Sequence, residues 1–580
     1  MSKRLVIVGG VAAGASAAAK ARRTDEDIEI VMCEAGPYMS FANCGLPYYV
    51  GGEIASRDAL FVAHPERFRD RFRVDVRLNT RVMAVDAKAQ QVALGDATLA
   101  YDRLVLATGT VPVMPPIEGL DAANVFLCRE IADVDAIHDF LERVQPRDME
   151  GLRGVDRDRF LGAQDAGVHA LIVGGGYIGL ECAEQLIGRG VRVTVVEAAE
   201  QVMAPLDPEM TQPIVQALMD AGAEVILSDG VERLEPADSH AHATLASGRE
   251  IPFDLAIVGA GVRPNVALAE VAGVTLGTTG AIAVDAHQRT SDAAIFAGGD
   301  NCESVFGPTG EAVNIHLAGP ANKHGRVAGQ NAALDLAGAA ADDPRRLRMG
   351  AILGTSIVRV CGVTAGATGL TEKAARAAGL DAATIYHLGA HHAGYYPGAA
   401  LMGIKLVFAR DDGRLLGAQA VGRDGVDKRI DVYATALQAG MTVAELEDLD
   451  LAYAPPFGAA RDVAMMAGMV AANAWRGLSP GVGPLATFAE LDAPAPPLLI
   501  DVRSPREYAA GQLDGAVNIP WEELRGRLDE IPRDRPVIVH CNAGYRSYCA
   551  QQVLRAHGYD NVRNLYGGYG VASRVRGLAG

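Results

Sequence analysis

The chain has 580 residues, of which 49% are hydrophobic and 21% are charged, and its formal net charge at pH 7 is −18. This length exceeds one hydrophobic core and predicts about three to five domains. The acidic balance argues against a nucleic-acid surface. We find no signal-peptide pattern and no apolar run long enough to span a membrane, so we expect a cytoplasmic protein. The eight cysteines show no CxxC pair or zinc spacing, which predicts no metal site.

A glycine turn follows the first apolar strand. Gly9, Gly10 and Gly14 lie between that strand and an alanine-rich helix, where they would let the backbone approach a pyrophosphate. Glu34 ends the second strand, the expected place for a carboxylate that holds a ribose. Val11 stands where the strict GxGxxG pattern has glycine. The pattern favours a first dinucleotide site.

A second glycine turn matches GxGxxG fully. Gly174, Gly176 and Gly179 occupy the glycine positions between an apolar strand and a helix. Glu197 closes the next strand, and an acid there accepts from a 2′-hydroxyl and repels a 2′-phosphate. The pattern therefore favours NADH, although Arg192 in the same strand leaves NADPH open.

Cys44 lies in a loop between these two motifs. A redox disulfide of the CxxxxC type would need a second cysteine at position 39 or 49, but Met39 and Tyr49 stand there. A single cysteine cannot store two electrons as an internal disulfide. It must form either a sulfenic acid or a mixed disulfide with a small thiol.

The two nested motifs resemble the pyridine nucleotide-disulfide oxidoreductase family of flavoproteins. Two further segments fit that resemblance, an Ala-Thr-Gly element with Thr108 and Gly109, and a Gly-Asp element with Asp300. In the family the first packs near FAD and the second binds its ribityl–phosphate region. The resemblance also implies that a helix beginning near Ala318 faces the flavin pyrimidine.

The segment around Cys44 resembles the coenzyme A-disulfide reductases, over roughly the first 475 residues. NADH oxidases and peroxidases share the fold, but they usually have a different residue pair before the cysteine and a histidine near the first glycine turn. The resemblance implies a homodimer in which Tyr395 and Tyr453 reach the partner's cysteine and assist the leaving thiolate. It also implies coenzyme A contacts, by Lys20, Arg23, Ser40, Asn43 and Arg461. Phe72 replaces a lysine that one type of relative uses for phosphate.

A separate α/β module follows a Gly/Pro/Ser linker. It contains Cys541 on a strand-to-helix loop and Arg546 five residues later, a CxxxxR spacing. Backbone N–H groups and the helix dipole would stabilise a thiolate there, and the arginine would serve as an anion fork. The module resembles the rhodanese (sulfurtransferase) domain, although Gln512 stands where histidine is common. The resemblance implies a persulfide carrier.

These patterns predict an α/β protein with two nested Rossmann-like domains, an α+β dimerisation domain and a rhodanese domain. We place FAD binding at 1–112 and 253–330, NAD binding at 113–252 with an insertion near 144–168, dimerisation at 331–475, a linker at 476–484 and the rhodanese domain at 485–580. The predicted activity is FAD-dependent NAD(P)H reduction of coenzyme A persulfide, polysulfide or coenzyme A disulfide, with coenzyme A as substrate or tightly bound cofactor. Two alternatives are an NADH oxidase or peroxidase that forms a sulfenic acid, and a non-enzymatic redox-sensing flavoprotein.

Overall fold

A computed structural model describes residues 3–144, 167–235 and 241–575. Most of the predicted insertion at 144–168 lies outside these residues. The described chain forms two compact units. The first contains residues up to 198 and residues 229–354, and the second contains residues 199–228 and 355–575. No helix in the described ranges is long and apolar enough to cross a bilayer.

The described strands, in chain order, are β1 (Arg4–Val8), β2 (Glu29–Cys33), β3 (Val74–Arg77), β4 (Ala84–Asp86), β5 (Gln91–Leu94), β6 (Ala97–Ala100), β7 (Arg103–Leu106), β8 (Thr110–Pro112), β9 (Val125–Phe126), β10 (His169–Val173), β11 (Arg192–Val196), β12 (Glu224–Ile226), β13 (Val231–Glu235), β14 (Ala241–Leu245), β15 (Glu250–Phe253), β16 (Leu255–Val258), β17 (Val262–Pro264), β18 (Ile295–Ala297), β19 (Ser304–Val305), β20 (Ala312–Val313), β21 (Ser356–Val360), β22 (Val363–Gly369), β23 (Ala382–Ala390), β24 (Leu401–Ala409), β25 (Leu415–Gly422), β26 (Gly481–Val482), β27 (Leu498–Asp501), β28 (Val517–Asn518), β29 (Val537–His540) and β30 (Val562–Leu565).

The described α-helices are α1 (Ala12–Thr24), α2 (Leu46–Val50), α3 (Pro65–Phe72), α4 (Ile131–Val144), α5 (Tyr177–Gly188), α6 (Pro208–Asp220), α7 (Ala267–Val271), α8 (Ala318–Leu336), α9 (Glu372–Ala377), α10 (Val426–Gln438), α11 (Val463–Trp475), α12 (Pro484–Leu491), α13 (Pro505–Ala510), α14 (Tyr545–Ala556) and α15 (Gly568–Val575).

Two parallel sheets form the centre of the first unit. One has the order β18-β7-β1-β2-β3. The other contains β11, β10, β16 and β9 as successive neighbours. Each sheet has its glycine turn after a central strand, β1 in the first and β10 in the second. The two nested Rossmann-like folds predicted from the motifs are therefore confirmed.

Helices α1 and α8 pack side by side on the first sheet. A Cβ added to Gly325 would lie 2.1 Å from the Ala13 carbonyl oxygen, and one added to Gly329 would lie 2.2 Å from the Ala17 carbonyl oxygen. The equal spacing of these contacts shows that the helices run in the same direction. Both N-termini therefore lie at the end of the sheet that carries the first glycine turn.

The second unit contains an antiparallel sheet of order β21-β22-β25-β24-β23 and a parallel sheet of order β26-β30-β29-β27-β28. The first of these carries the tyrosine segments and the second carries Cys541. The sequence of residues 443–448 predicts a helix, but the structure has only the 3-10 turn Glu445–Asp448 there. Residues 481–482, within the predicted linker, form strand β26 of the second sheet.

A buried charge cluster joins α6 to the antiparallel sheet. The Lys405 ammonium lies 2.8 Å from Asp207, 2.5 Å from Glu209 and 2.7 Å from Glu372. The side chains of Lys405, Asp207 and Glu209 are at most 2% exposed. The phenol of Tyr386 also donates to Glu209. These carboxylates raise the pKa of Lys405 against the lowering effect of its burial, and Lys405 lowers the pKa of Asp207 although burial opposes this.

We predict that Lys405→Met destabilises the second unit by about 3–5 kcal/mol, because it leaves buried carboxylates without a cation. Calorimetric unfolding of the full chain measures this loss. Arg410→Met is the control, since its pair with Asp381 is exposed and contributes about 0–1 kcal/mol. The lowered pKa of Asp207 adds stability above its unfolded pKa, and that part is lost as the pH falls. A Lys405→Met loss no larger than the control's would contradict the prediction.

Candidate active site

The first glycine turn joins β1 to α1. Gly9 has φ +102°, and a Cβ there would lie 2.2 Å from the Ala107 carbonyl oxygen. A Cβ on Gly14 would lie 1.8 Å from the carbonyl oxygen of Gly9. Among the described residues no side chain caps α1, whose N-cap residue is Val11. The N–H groups of the first turn are therefore left for an anionic ligand.

Glu34 faces this turn from the end of β2. Its carboxylate accepts from the N–H of Gly10 over 2.7 Å and from the N–H of Gly36 over 2.8 Å. Burial raises the pKa of Glu34, and these backbone hydrogen bonds partly oppose the rise. The structure places Glu34 beside the turn as the motif predicted, and its contact with a ribose stays a prediction.

Thr108 and Asp300 lie at the ends of β7 and β18. The Thr108 hydroxyl donates to the Asn265 carbonyl over 2.6 Å and accepts from the Asn301 amide over 3.0 Å. The N–H of Asn265 donates to the Gly109 carbonyl over 2.9 Å. Sequence reasoning missed both asparagines, because neither belongs to a glycine motif.

The Asp300 carboxyl is half-buried. Burial raises its pKa to about 6, and the positive charge of Arg129 opposes the rise. Helix α8 begins nearby in sequence, at Ala318, and no described side chain caps it. A hydrogen bond from a ligand hydroxyl would stabilise the charged form of the Asp300 carboxylate, which burial disfavours. The N-terminus of α8 would stabilise a negative charge on a ligand.

The second glycine turn repeats this arrangement between β10 and α5. Gly174 has φ +107°, and a Cβ on Gly179 would lie 2.0 Å from the Gly174 carbonyl oxygen. A Cβ on Gly176 would meet no atom of the described chain within 4 Å, so this side of the turn is open. The Glu197 carboxylate accepts from the N–H of Gly175 over 2.6 Å, as Glu34 does from Gly10.

Both turns therefore fit dinucleotides. Each has an uncapped helix N-terminus for a pyrophosphate and a carboxylate at the end of the neighbouring strand for a ribose. The first turn also has Asp300 and the start of α8, which fit the ribityl chain and the flavin ring of FAD. The second turn fits a nicotinamide dinucleotide.

Cys44 lies in a 3-10 turn, Asn43–Gly45, that precedes α2, and its side chain is exposed. Ser40 ties this loop to the first glycine turn, since its N–H donates to the Gly10 carbonyl over 2.9 Å. The Asn43 amide donates to the Arg129 carbonyl over 3.4 Å. Desolvation by the surrounding protein raises the pKa of Cys44, and the carboxylates of Glu181 and Asp300 raise it further.

The two tyrosines meet on the surface of the second unit. The hydroxyls of Tyr395 and Tyr453 lie 3.1 Å apart, although the residues are 58 positions apart in the chain. They are 77% and 48% exposed, and Phe457 in the same surface segment is 71% exposed. The hydrogen bond to Tyr453 raises the pKa of Tyr395. The structure thus brings together two residues that the sequence treated separately.

Arg429 on α10 holds both tyrosine segments. Its buried guanidinium donates to the His391 carbonyl over 2.5 Å and to the Asp462 carboxylate over 2.6 and 3.1 Å. Asp462 also caps α11 by accepting from Ala464. A backbone bond of 2.9 Å from Ala393 to Gly458 joins the segments directly. No sequence motif marks Arg429.

Lys20 and Arg23 lie on α1, and two further cations, Lys323 and Arg326, lie on the neighbouring helix α8. Ser16 donates to the Asn322 amide oxygen over 2.7 Å, so one turn further along these parallel helices Lys20 lies beside Arg326. Burial lowers the pKa of Lys20, and the charges of Arg326 and Arg23 lower it further. Within the described chain these side chains have no hydrogen bond or ion pair. We call this set the cation cluster: Lys20, Arg23, Lys323 and Arg326.

The rhodanese-type loop runs from β29 into α14. The Cys541 sulfur is buried and accepts from the N–H of Gly544 over 3.1 Å and from the Ser547 hydroxyl over 3.5 Å. Arg546 interacts with this sulfur, but its guanidinium also donates to both oxygens of Glu507 over 2.8 and 2.6 Å. Sequence reasoning identified Arg546 as an anion fork and missed that Glu507 occupies the fork.

Arg461 is exposed at the N-terminal side of α11, one residue before Asp462. Together with Ser40 and Asn43 it completes the residues for which we predicted coenzyme A contacts. Those contacts stay predictions. The cluster of Asp207, Glu209 and Glu372 surrounds Lys405, which occupies the place that a metal ion would take.

The chain matches known families over most of its length. Residues 3–325 match the pyridine nucleotide-disulphide oxidoreductase family, residues 355–465 match the dimerisation domain of that family, and residues 486–571 match the rhodanese-like domain. It is 35% identical over 460 residues to the NAD(P)H sulfur oxidoreductase (CoA-dependent) of Pyrococcus abyssi, an alignment that covers 79% of this chain and 95% of that protein.

Two solved structures resemble the whole chain. Reduced CoADR-RHD from Bacillus anthracis is 38% identical with a TM-score of 0.90, and the match covers 100% of this chain and 99% of that one. An NAD-dependent persulfide reductase from A. fulgidus is 36% identical with a TM-score of 0.86, covering 98% and 99% of the two chains.

We predict that Arg429→Met separates the two tyrosines. The hydrogen bond from Tyr395 would be lost, so the pKa of Tyr395 should fall towards its ordinary value of about 10, as it should in Tyr453→Phe. Ultraviolet phenolate titration measures this, with Tyr395→Phe subtracted to isolate the residue. Arg410→Met is the control on an exposed pair of the same unit. A titration of Arg429→Met that matches wild type would refute the role of Arg429.

Proposed function

Because the chain belongs to the pyridine nucleotide-disulphide oxidoreductase family and carries its dimerisation domain and a rhodanese-like domain, we propose that it is an FAD-dependent NAD(P)H reductase of coenzyme A persulfide, polysulfide or coenzyme A disulfide. Its rhodanese domain supplies or accepts sulfane sulfur. The names of the similar proteins, which mention CoA, sulfur and persulfide, support this substrate class.

The main support for this activity is Cys44, which is exposed, has no CxxxxC partner and lies in a loop hydrogen-bonded to the first glycine turn. With no CxxxxC partner, its reduced form reacts with a small disulfide or persulfide from solvent. The Cys44 thiolate attacks the sulfur–sulfur bond of coenzyme A disulfide, forms Cys44–S–S–coenzyme A and releases one coenzyme A thiolate. A bound flavin would supply the two electrons from NAD(P)H that break this mixed disulfide, which restores the Cys44 thiol and releases the second coenzyme A as a thiol.

The tyrosine pair serves as the proton donor to the departing thiolate. A phenol hydrogen-bonded to a second phenol is neutral at pH 7 and has a proton to give. The family resemblance has these tyrosines act on the partner's cysteine. The exposed Tyr395, Tyr453 and Phe457 then form part of a homodimer interface, which also agrees with the matched dimerisation domain.

The rhodanese domain acts as a sulfur carrier. Cys541 attacks the terminal sulfur of a persulfide, R–S–SH, which gives Cys541–S–SH and the thiol R–SH. The N–H of Gly544 and the hydroxyl of Ser547 already point at the sulfur and would stabilise the negative charge of the persulfide. Arg546 contributes through the attraction between its charge and that of the sulfur.

Coenzyme A binds by its phosphates at the cation cluster. Unpaired cations are unexpected in a chain with a net charge of −18, and they match a ligand with several phosphates. Lys323 and Arg326 extend the set predicted from the sequence and supply charge that Phe72 does not. Arg461, Ser40 and Asn43 stay candidate contacts to the rest of the ligand. Glu197 favours NADH over NADPH, and we expect the enzyme to work in the cytoplasm.

An NADH oxidase or peroxidase that uses a Cys44 sulfenic acid is the alternative enzyme. Neither the cation cluster nor the rhodanese domain has a role in that reaction. A non-enzymatic redox sensor would not need the tyrosine pair. The peroxidase alternative therefore does not explain the cation cluster or the rhodanese domain, and the sensor alternative does not explain the tyrosine pair.

The test is anaerobic NADH consumption with coenzyme A persulfide, coenzyme A disulfide or hydrogen peroxide, in wild type and Cys44→Ser. We expect turnover on the two coenzyme A substrates, and at least a thousandfold loss in Cys44→Ser, the size of a lost covalent nucleophile. Cys549→Ser is the control. Turnover on peroxide alone would establish the peroxidase alternative, and normal flavin reduction without turnover on any substrate would establish the sensor.

We predict that Arg326→Ala raises KM for coenzyme A disulfide about ten- to a hundredfold with little change in kcat, because one charge-assisted hydrogen bond to a phosphate contributes about 1.5–3 kcal/mol. Steady-state kinetics at low salt measure this. Lys88→Ala, which removes an exposed lysine away from the cation cluster, is the control. An unchanged KM would remove Arg326 from the binding site.

A further inference from the structure

Two arginines of the rhodanese-like domain, Arg546 and Arg503, are each paired with a carboxylate. Arg546 makes a bidentate pair with Glu507 at 2.6 and 2.8 Å. Arg503 makes another with Asp501, at 2.6 Å for its shortest contact, and is buried. His540, directly before Cys541, is neutral at pH 7, since burial lowers its pKa to about 4. These three groups together bring no net positive charge to the sulfur.

Glu507 is fixed in place. Its carboxylate accepts from the backbone N–H of Ser504 over 3.0 Å and from the Ser504 hydroxyl over 2.8 Å, in the capping box of α13. The pair with Arg546 lowers the pKa of Glu507 to about 2, so Glu507 is ionised at all physiological pH values. The Glu507 carboxylate thus accepts four hydrogen bonds. A small sulfur donor that displaced it from Arg546 would have to break this arrangement.

The other hydrogen-bond donors to the Cys541 sulfur can stabilise a single negative charge. The Gly544 N–H and the Ser547 hydroxyl point at Cys541, and they would be shared between its sulfur and the incoming one. A thiosulfate donor brings two negative charges and leaves as sulfite, also a dianion. A thiol persulfide brings at most one charge at its reacting end and leaves as a thiolate. Because Glu507 neutralises Arg546, no net positive charge offsets the second negative charge of thiosulfate, which disfavours that donor.

We propose that Glu507 makes Cys541 selective for thiol persulfides and excludes sulfur donors with a dianionic leaving group. The inference rests on the proposed role of Cys541 as a sulfur carrier and adds its donor class. In the transfer, the Cys541 thiolate bonds to the outer sulfur of R–S–SH, and the bond between the outer and the inner sulfur breaks. The bonding pair leaves on R–S⁻, and no external oxidant or reductant takes part.

The test loads the full-length protein with sulfur in the absence of NADH. Wild type, Glu507→Gln and Glu490→Gln are mixed with coenzyme A persulfide or with thiosulfate, and mass spectrometry measures the persulfide on the Cys541 peptide over time. Glu507→Gln keeps the size of the side chain and its capping of α13, but it removes the negative charge that neutralises Arg546. Glu490→Gln is the matched control, because Glu490 makes a similar bidentate pair, with Arg563 instead of Arg546, in the same domain.

We expect wild type to load from the persulfide at least about tenfold faster than from thiosulfate, as a single unfavourable charge contact requires. Glu507→Gln should raise the thiosulfate rate about tenfold and leave the persulfide rate little changed, and Glu490→Gln should behave as wild type. Equal rates from both donors in wild type, or an unchanged thiosulfate rate in Glu507→Gln, would overturn the selectivity while the carrier role stands. Loading from neither donor would overturn both, independently of NADH turnover at Cys44.

Discussion

The backbone contact between α1 and α8 is the constraint on which the flavin-type site depends. Gly325 and Gly329 let α8 lie against the backbone of Ala13 and Ala17, closer than any side chain would allow. Because the helices are parallel, both uncapped N-termini point to the same end of the sheet. The same contact places Lys20 beside Arg326 further along. One packing interaction thus aligns the proposed dinucleotide and coenzyme A phosphate sites.

The cationic side chains of this protein fall into two groups: those paired with carboxylates, which stabilise the fold, and those without such a partner in the described chain, which can bind ligands. Lys405 and Arg429 are buried and matched by carboxylates, where an unpaired charge would be very costly. The cation cluster is mostly exposed and unpaired among the described residues, in an acidic protein. Arg546 belongs to neither class, because it is paired with Glu507 and still interacts electrostatically with the Cys541 sulfur. A pair at a reactive loop controls which charges can approach.

Local patterns in the sequence were sufficient to predict both Rossmann-like folds and their glycine turns. The close contact of Gly14 with the Gly9 carbonyl lies within the turn itself, so the need for glycine at these two positions can be read from the local sequence. The isolation of Cys44 could also be read directly, because a CxxxxC pair is a local feature. The prediction of a helix over 443–448 was wrong in type, since only a 3-10 turn forms there. Arg429 carried no signal, because its partners lie 33 and 38 residues away.

The sequence by itself thus determined the fold class, the two glycine turns and the absence of a CxxxxC partner for Cys44. Only the tertiary structure decided which charged groups are paired, that the two tyrosine hydroxyls meet, and that Glu507 occupies the guanidinium fork of Arg546. The physical reason is the distance along the chain between the residues that interact. Glycine turns and strand periodicity depend on neighbouring residues, whereas an ion pair or a phenol pair depends on which distant segments the packed sheets and helices bring within about 3 Å of each other.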